Sequence, residues 1–267
     1  MDPRPIGIFD SGLGGLTAAA ALERILPGEN LIYFGDSANA PYGVRSLEEL
    51  EAMATANARF LASFDVKAVL VACGTVSSTV IGSVQKKFPF PLFGVVEAPC
   101  RAAVRTAPGG RIAVAATEVS IRSGAFARRL KELDGAVTVF PKACQSLVRV
   151  VEAGRFSAGD PEAKRAVAEE LESVKAFRPE VLMLGCTHFP LLREAIADFM
   201  GPEVSLLSVS EATADQLRDY LTERGMLSGG DSGVRRWFTS GSAEDFARHA
   251  GAFLGHPVTP ERHILTA

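Results

Sequence analysis

The sequence of 267 residues lacks the features that mark membrane, secreted and nucleic-acid-binding proteins. No apolar run approaches the roughly 20 residues that a membrane-spanning helix needs. The N-terminal stretch MDPRPIGIFDSGLGG has neither the basic segment nor the apolar segment of a signal peptide. The net charge is −3, and no cluster of Lys and Arg forms a basic face for a nucleic acid. Together these absences predict a cytoplasmic protein that binds neither membranes nor nucleic acids.

Cysteine is scarce, with four residues in the chain and no Cys-x-x-Cys pair among them. A chain with 47% hydrophobic residues can bury a large core without disulfides, so we expect reduced thiols. Only His188 lies near a cysteine in sequence, and the other histidines lack ligand spacing, so we expect no zinc site. Cys100 and Cys144 are interpreted as small buried hydrophobic residues. Cys73 and Cys186 differ because each of them ends an apolar, strand-like run.

Strand-like and helix-like segments alternate along the whole chain. PIGIFD precedes LTAAAALERIL, NLIYFGD precedes SLEELEAMATANARFLASF, and EVLMLG precedes HFPLLREAIADFM. Such alternation with short connections predicts an α/β fold in which parallel sheets are flanked by helices. The runs VLVAC and VLMLG are apolar at consecutive positions, which is typical of strands buried on both faces.

Polar or reactive residues follow four of the predicted strands. The four strand ends read IFDSG, YFGDS, LVACGT and LMLGCT. Active sites of open α/β sheets lie beyond the carboxyl ends of the strands, so these ends predict a single site. The two strands that end in cysteine resemble each other, which indicates two similar halves that face one another across the site.

The SGLGG turn at 11–15 invites a dinucleotide-binding interpretation, but its spacing is wrong. The last glycine of G-x-G-x-x-G would have to stand at Thr17, and Asp10 would repel a pyrophosphate. We expect instead that N–H groups of the turn face a carboxylate, and that Asp10 binds an ammonium group or holds a catalytic group.

The loop GDSANAPYG at 35–43, with Tyr42 on a stiff backbone, is suited to present N–H groups to a second carboxylate.

Cys73 and Cys186 admit four interpretations: a metal site, a disulfide, a Cys186–His188 nucleophile of the hydrolase type, and a matched acid and base. The first lacks ligands, the second lacks an oxidising compartment, and the third leaves Cys73 without a role. A free thiol has a pKa of about 8.5, and helix N-termini lower it further. One thiolate can therefore remove a proton from a carbon while the opposite thiol supplies one, which inverts a stereocentre without a cofactor. The sequence favours this fourth interpretation.

Several motifs, in order along the whole chain, resemble those of bacterial glutamate racemases. They are FDSGLGGLT, YFGDSANAPYG, the Cys73 strand and LGCTHFPLL, and GVVEA, IAVAATEVSIRSGAF, KACQSLVRVVEAG and WFTSGSAEDFARHAGAFLG match further blocks. The resemblance implies cofactor-independent interconversion of L- and D-glutamate, which supplies D-glutamate for peptidoglycan. It implies two pseudo-symmetric α/β domains, residues 1–98 with 209–267 and residues 99–208, with the active site in the cleft between them. It also implies a homodimer whose small-molecule ligand is glutamate.

The resemblance assigns roles to individual positions. It implies that Cys73 and Cys186 are the acid/base pair, that Asp10, Glu152 and His188 assist them, and that no metal takes part. It implies that the amino acid is held by Asp10, Ser11, Pro41, Tyr42, Gly43, Gly74, Thr75, Thr187 and His188. Apart from the resemblance, Glu152 is typical of a surface carboxylate on an amphipathic helix, and His188 is suited to cap the helix that follows it.

The chain departs from the family pattern directly after the first cysteine. The family usually has Asn there, whereas this chain has Gly74, which removes an amide contact to the amino acid and is expected to widen the pocket. Gln145 and Arg149 stand where prolines are common. Two alternatives therefore stay open: a racemase of another amino acid, with Gly74 tuning specificity, and a non-catalytic binding protein that serves regulation. The retained cysteine pair favours an active racemase, because binding alone needs no thiols.

Overall fold

A computed structural model describes residues 1–265, in which ten strands form two parallel sheets. The strands are β1 (Ile6–Asp10), β2 (Leu31–Gly35), β3 (Ala68–Val71), β4 (Leu92–Gly94), β5 (Arg111–Ala116), β6 (Thr138–Ala143), β7 (Val181–Leu184), β8 (Ser205–Ser208), β9 (Arg235–Thr239) and β10 (Glu261–Arg262). One sheet has the order β10-β9-β2-β1-β3-β4 and the other has the order β6-β5-β7-β8. Every neighbouring pair is parallel, which confirms the predicted α/β fold.

Helices connect the strands. They are α1 (Leu16–Ile25), α2 (Leu47–Ala62), α3 (Gly74–Thr79), α4 (Ile81–Gln85), α5 (Glu97–Thr106), α6 (Glu118–Arg122), α7 (Ala125–Leu133), α8 (Gln145–Glu152), α9 (Pro161–Phe177), α10 (Arg193–Met200), α11 (Val209–Glu223) and α12 (Ala243–Leu254). The longest, α9, begins where the Asp160 side chain accepts two N–H bonds ahead of Pro161, a residue favoured at the first helical position. Within residues 1–265, no helix is both long and apolar enough to cross a membrane.

Each sheet has an apolar core on both of its faces. All five residues of β1 are buried, as are all four residues of β3 and of β7. Two clusters of buried side chains enclose the larger sheet and two more enclose the smaller one. The consecutive apolar runs in the sequence therefore correspond to strands that are covered on both sides, as predicted.

The two sheets share one topology over four strands. The order β2-β1-β3-β4 in the larger sheet matches β6-β5-β7-β8 in the smaller sheet, and β9 and β10 extend the larger sheet at the β2 edge. Equivalent strands therefore carry the two cysteines that the sequence singled out. Cys73 comes two residues after Val71, the end of β3, and Cys186 comes two residues after Leu184, the end of β7.

The chain passes between the sheets twice. It leaves the larger sheet after β4 and enters the smaller sheet at β5, and it returns between β8 and β9. Helices α5 and α11, which lie on these two connections, pack against each other, and α11 also packs against α1. The domain boundaries at 98/99 and 208/209 stay a prediction, and residues 266 and 267 of the predicted first domain lie outside the described residues.

Candidate active site

A cavity of about 270 Å³ lies beyond the carboxyl ends of strands from both sheets. Segments that follow β1, β2, β3, β5 and β7 contribute to its lining, together with the helix α8. The twelve residues that the sequence singled out all line it: Asp10, Ser11, Pro41, Tyr42, Gly43, Cys73, Gly74, Thr75, Glu152, Cys186, Thr187 and His188. The structure thus brings them together, and their individual roles remain proposals.

Ten further lining residues were not predicted as individual site residues: Gly12, Leu13, Ala40, Val44, Thr117, Glu118, Val119, Gln145, Val148 and Gly185. Thr117 follows the last residue of β5 directly. The rule that sites lie at the carboxyl ends of parallel strands also applies to the run RIAVAAT, so this signal was available. None of the described lining residues is Lys or Arg. A bound anionic group would therefore depend on N–H and hydroxyl donors.

Asp10, the last residue of β1, is held by the glycine turn that follows it. Its Oδ2 accepts N–H bonds from Gly15 at 2.8 Å and from Gly12 at 3.3 Å. A Cβ on Gly15 would lie 2.4 Å from the Cβ of Asp10, so only glycine permits this approach. The expectation that the turn presents its N–H groups to an external carboxylate was wrong for these two groups, because they bind Asp10. Burial raises the pKa of Asp10, and the N–H groups of Gly15, Ser11 and Gly12 oppose that rise.

Cys73 lies at the end of β3, where it immediately precedes α3, and only 4% of its surface is exposed. Burial, followed by the negative charge of Asp10, raises the pKa of the Cys73 thiol to about 12. The N–H groups of Val76 and Thr75 and the hydroxyl of Ser11 oppose this rise without cancelling it. The expectation that a helix N-terminus leaves this pKa below its ordinary value was therefore wrong.

Cys186 has a different neighbour on the other side of the cavity. Its Sγ lies 3.6 Å from Nδ1 of His188, within hydrogen-bond distance for sulfur. Burial raises the pKa of the Cys186 thiol to about 12, and the same cause lowers the pKa of His188 to about 4. At neutral pH a protonated thiol therefore lies beside a neutral imidazole.

His188 lies between Cys186 and Glu152, with one ring nitrogen facing each of them. Nε2 of His188 lies 3.6 Å from Oε1 of Glu152, which stands at the end of α8 with 62% of its side chain exposed. His188 occupies the N-cap position of the 3₁₀ turn Phe189–Leu192, as the capping interpretation expects, but its side chain makes no capping hydrogen bond. Partial burial, and then the charge of Asp10, raises the pKa of Glu152.

Tyr42 fixes the loop that closes one side of the cavity. Its hydroxyl donates to Oδ2 of Asp36 at 2.6 Å and accepts from Nδ2 of Asn57 at 2.8 Å. Asn39 also donates to both carboxylate oxygens of Asp36. The Tyr42 side chain is 1% exposed, and burial followed by the charge of Asp36 raises its pKa. This network orders the backbone at Pro41 and Gly43, but its partners could not be identified from sequence spacing.

Gly74 does not open the space that the sequence suggested. A Cβ built at this position would lie 3.2 Å from the carbonyl oxygen of Gly185 and 3.4 Å from Oγ of Ser120. A side chain at position 74 would therefore point toward protein atoms of the opposite half. Gly185 directly precedes Cys186, so Gly74 lets the two cysteine-bearing turns approach each other closely.

All four cysteines are buried and free, and Cys100 and Cys144 lie in apolar clusters. Within residues 1–265, no group of three or more His, Cys, Asp or Glu side chains is arranged to hold a metal ion.

Comparisons with known proteins identify the family of the chain. The family model for Asp/Glu/Hydantoin racemase matches residues 16–217. Glutamate racemase of Desulforudis audaxviator is 38% identical over 266 residues, 97% of either chain, and that of Symbiobacterium thermophilum is 41% identical over 98% of this chain and 94% of its own. The crystal structure of a glutamate racemase from Bacillus anthracis superposes with a TM-score of 0.92 at 33% identity and 99% coverage of both chains. This chain therefore belongs to the Asp/Glu/Hydantoin racemase family, and within it to the glutamate racemases.

Proposed function

We propose that this racemase interconverts L- and D-glutamate by proton transfer between two thiols, those of Cys73 and Cys186, without a cofactor. One observation carries the proposal: two cysteines at equivalent strand ends of two sheets line the same cavity. Neither metal coordination nor a lone nucleophile requires such a pair. An acid and a base on opposite sides of one carbon do require it.

The proposed reaction consists of two proton transfers at the α-carbon, one to a thiolate and one from a thiol. In one direction the thiolate of one cysteine takes the proton from the α-carbon, and the C–H electron pair stays on that carbon. The thiol of the other cysteine then gives its proton to the opposite face and becomes the thiolate. The product is the other enantiomer, and the two cysteines have exchanged protonation states, ready for the reverse direction.

Formation of the first thiolate depends on the substrate. Burial raises the pKa of both Cys73 and Cys186 to about 12. An ammonium group lowers the pKa of a neighbouring thiol, so the amino group of glutamate favours the thiolate. Asp10 stands at the Cys73 side and the neutral His188 at the Cys186 side, where each is placed to accept a proton or a hydrogen bond. We assign both residues, with Glu152 behind His188, to assisting the thiols.

The carboxylates of the substrate, and the carbanion that forms beside one of them, need hydrogen-bond donors. With no Lys or Arg among the described lining residues, we assign this task to N–H groups at Gly43, Thr75 and Thr187, together with side-chain hydroxyls. The N–H of Ser11 is left out of this assignment because it already bonds to the Asp10 carboxylate. A structure with bound glutamate tests the assignment, which fails if these N–H groups point away from the carboxylates. The glutamate racemase of Francisella tularensis, crystallised in complex with D-glutamate, superposes with a TM-score of 0.90 at 30% identity, which supports glutamate as the ligand.

The relatives named glutamate racemase favour glutamate as the substrate. Gly74 stands where the family resemblance implies an Asn, so a preference for another amino acid is the alternative to test. A panel of L-amino acids, assayed for loss of optical activity, separates that alternative from glutamate specificity. The same relatives favour an enzyme over the non-catalytic binding protein, for which the removal of either thiol would leave function intact.

Replacement of single cysteines tests the two-thiol mechanism. We expect Cys73→Ala and Cys186→Ala each to lower kcat by about 10²–10⁴, the usual contribution of a general acid or base. Cys100→Ala is the matched control, since Cys100 is buried but lies outside the cavity, and it should keep the wild-type kcat. If either cavity variant turns over glutamate like the control, the two-thiol mechanism is wrong.

We also propose, from the family resemblance, that the enzyme is a cytoplasmic homodimer that supplies D-glutamate for peptidoglycan. Light scattering tests the dimer, since one chain has a mass of 28.3 kDa and a dimer has twice that mass. Expression in a bacterium that requires added D-glutamate for growth tests the cellular role. Rescue supports the proposal, and continued dependence on D-glutamate contradicts it.

A further inference from the structure

The hydroxyl of Thr17 joins three parts of the fold at a point behind the cavity. Thr17 lies in the first turn of α1, and its Oγ1 is 3.0 Å from the carbonyl oxygen of Thr187. The same Oγ1 is 3.1 Å from Oγ of Ser210, near the start of α11. Thr17 is 9% exposed and Ser210 is 1% exposed, and neither lines the cavity. The contact therefore reaches the turn that carries Cys186 without touching the substrate space.

The hydrogen-bonding capacity of a hydroxyl determines which of these groups donates and which accepts. A hydroxyl donates one hydrogen and accepts with its lone pairs. Within residues 1–265, Thr17 is the sole hydrogen-bond partner of the Ser210 hydroxyl, so Ser210 can give its hydrogen to Thr17. Thr17 then keeps its own hydrogen for a carbonyl, either that of Thr187 or that of Gly14, also at 3.0 Å.

Gly14 shows how closely α1 approaches that turn. A Cβ on Gly14 would lie 2.5 Å from Oγ1 of Thr187 and 2.6 Å from Cε1 of His188. On its other side, the beginning of α1 binds the Asp10 carboxylate through the N–H of Gly15. The start of α1 thus sets the separation between Asp10, in the Cys73 half, and the turn that carries Cys186 and His188.

We infer that Thr17 and Ser210 are positioning residues that hold the Cys186 turn at its working distance from the opposite half of the site. The inference rests on the proposed two-thiol racemisation. The thiol of Cys186 transfers a proton to or from carbon, and such steps depend steeply on distance. Loss of the Thr17 hydroxyl releases the Thr187 carbonyl and lets the turn move, while every group that touches substrate stays in the protein.

Three variants separate positioning from general stability. Thr17→Val removes the hydroxyl at nearly constant shape, and Thr17→Ser restores it. Thr213→Val is the matched control, because Thr213 is 0% exposed and its hydroxyl donates only to the carbonyl of Val209, in its own helix, at 2.8 Å. Thr17→Val should lower kcat by about 10- to 100-fold, the cost of a small misplacement of a reacting group. Because Thr187 also lies in the released turn, KM should rise as well, but by a smaller factor than kcat falls. Thr17→Ser and Thr213→Val should retain the wild-type kcat and KM.

The α-deuterium isotope effect provides a readout that a purely structural role would not change. In Thr17→Val it should increase in the direction in which Cys186 removes the proton, because that transfer becomes slower than the other steps. An unchanged kcat in Thr17→Val, or an equal loss of kcat in Thr17→Ser, would overturn the inference.

A chemical readout keeps the inference testable even if the wild type does not racemise glutamate. Iodoacetamide labelling, followed by peptide mass spectrometry, compares the alkylation rate of Cys186 with that of Cys73 in one sample. In Thr17→Val this ratio should rise about threefold or more, since a released turn exposes the sulfur. If the wild type does not racemise glutamate, the proposed function is wrong, but the positioning role is still tested by this ratio. A ratio that matches Thr213→Val defeats the positioning role.

Discussion

Nδ1 of His188 lies 3.6 Å from Sγ of Cys186, whereas Cys73 has no such imidazole partner among residues 1–265, and the charge of Asp10 raises the pKa of both thiols. The two thiols thus occupy equivalent places in two sheets but have chemically different neighbours. A neutral imidazole accepts a hydrogen bond from a thiol, while a carboxylate raises the thiol pKa through its charge. We therefore expect the two directions of racemisation to differ in kcat and KM, although their ratios kcat/KM must agree because the enantiomers have equal free energy.

The burial of His188 predicts a specific loss of stability in acid. Burial lowers the pKa of His188 from its ordinary 6.5 to about 4. Between these values the unfolded chain binds a proton that the folded chain does not, so the free energy of unfolding falls as the pH is lowered from 6.5 to 4. Above pH 6.5 the contribution is constant. The full loss amounts to about 3 kcal/mol.

Urea denaturation at pH 7 and pH 4.5 measures this loss in the wild type and in His188→Asn. Asp10 and Glu152 have raised pKa values in the folded state, so their contribution favours the folded state as the pH falls. Both proteins retain these carboxyl groups, and the difference between the two pH profiles isolates His188. Parallel profiles would show that His188 is not held neutral by burial.

The Tyr42 network predicts a linked loss of stability and affinity. Tyr42→Phe removes the donor to Asp36 and the acceptor of Asn57, whose Oδ1 is already buried without a partner in the described structure. Unpaired buried polar groups cost about 1–3 kcal/mol, so the free energy of unfolding should fall by that amount. KM for glutamate should rise more than kcat falls, because the loop at Pro41 and Gly43 loses its anchor.

Tyr220→Phe is the control for that experiment. The Tyr220 ring packs against Phe93 and Arg224, and its hydroxyl has no hydrogen-bond partner in residues 1–265. Its removal should change the free energy of unfolding by less than about 0.5 kcal/mol, as is usual for such positions. Equal effects of the two substitutions on KM would contradict a role for the Asp36–Tyr42–Asn57 network in the site.

Substitution of Gly74 is predicted to lower kcat with little change in the free energy of unfolding. In Gly74→Ala the new Cβ approaches the Gly185 carbonyl at 3.2 Å and pushes on the turn before Cys186. The gain from replacing a helical glycine, about 0.5–1 kcal/mol, offsets part of the contact cost, so the free energy of unfolding should change by less than about 1 kcal/mol. We expect kcat for glutamate to fall.

Gly82→Ala provides the comparison. Gly82 lies in α4, where a Cβ would meet no atom within 4 Å. This substitution should raise the free energy of unfolding by about 0.5–1 kcal/mol and leave kcat unchanged. If Gly74→Ala behaves in the same way in a steady-state assay, the close approach of the two turns has no bearing on catalysis.

The parts of the fold that depend on local sequence were predictable. The runs IGIFD, AVLV and VLML are apolar throughout because parallel strands are covered on both faces, and each lies in a sheet as expected. The assembly of the site also followed from local signals, since parallel strands bring their carboxyl ends to one edge. Residues as distant in sequence as Asp10, Cys73 and Cys186 could therefore be assigned to one cavity.

Properties that depend on the three-dimensional surroundings could not be predicted. The direction of the thiol pKa shift was wrong because burial at Cys73 outweighs the nearby N–H groups. The use of the glycine turn by Asp10 and the direction in which Gly74 faces depend on distances that spacing does not encode. The ion pair of Lys67 and Glu29, at 2.5 Å, also could not be predicted from the sequence, and both of its side chains are almost fully buried.

The measurement that tests two-thiol transfer most directly is the conversion of L-glutamate in D2O, stopped early and analysed for each enantiomer separately. Transfer between Cys73 and Cys186 predicts loss of optical activity, with D-glutamate that carries solvent deuterium at the α-carbon while the remaining L-glutamate carries much less. This follows because the proton arrives from a different group than the one that removed it. D-Glutamate that retains its original hydrogen, or no conversion at all, would contradict the mechanism.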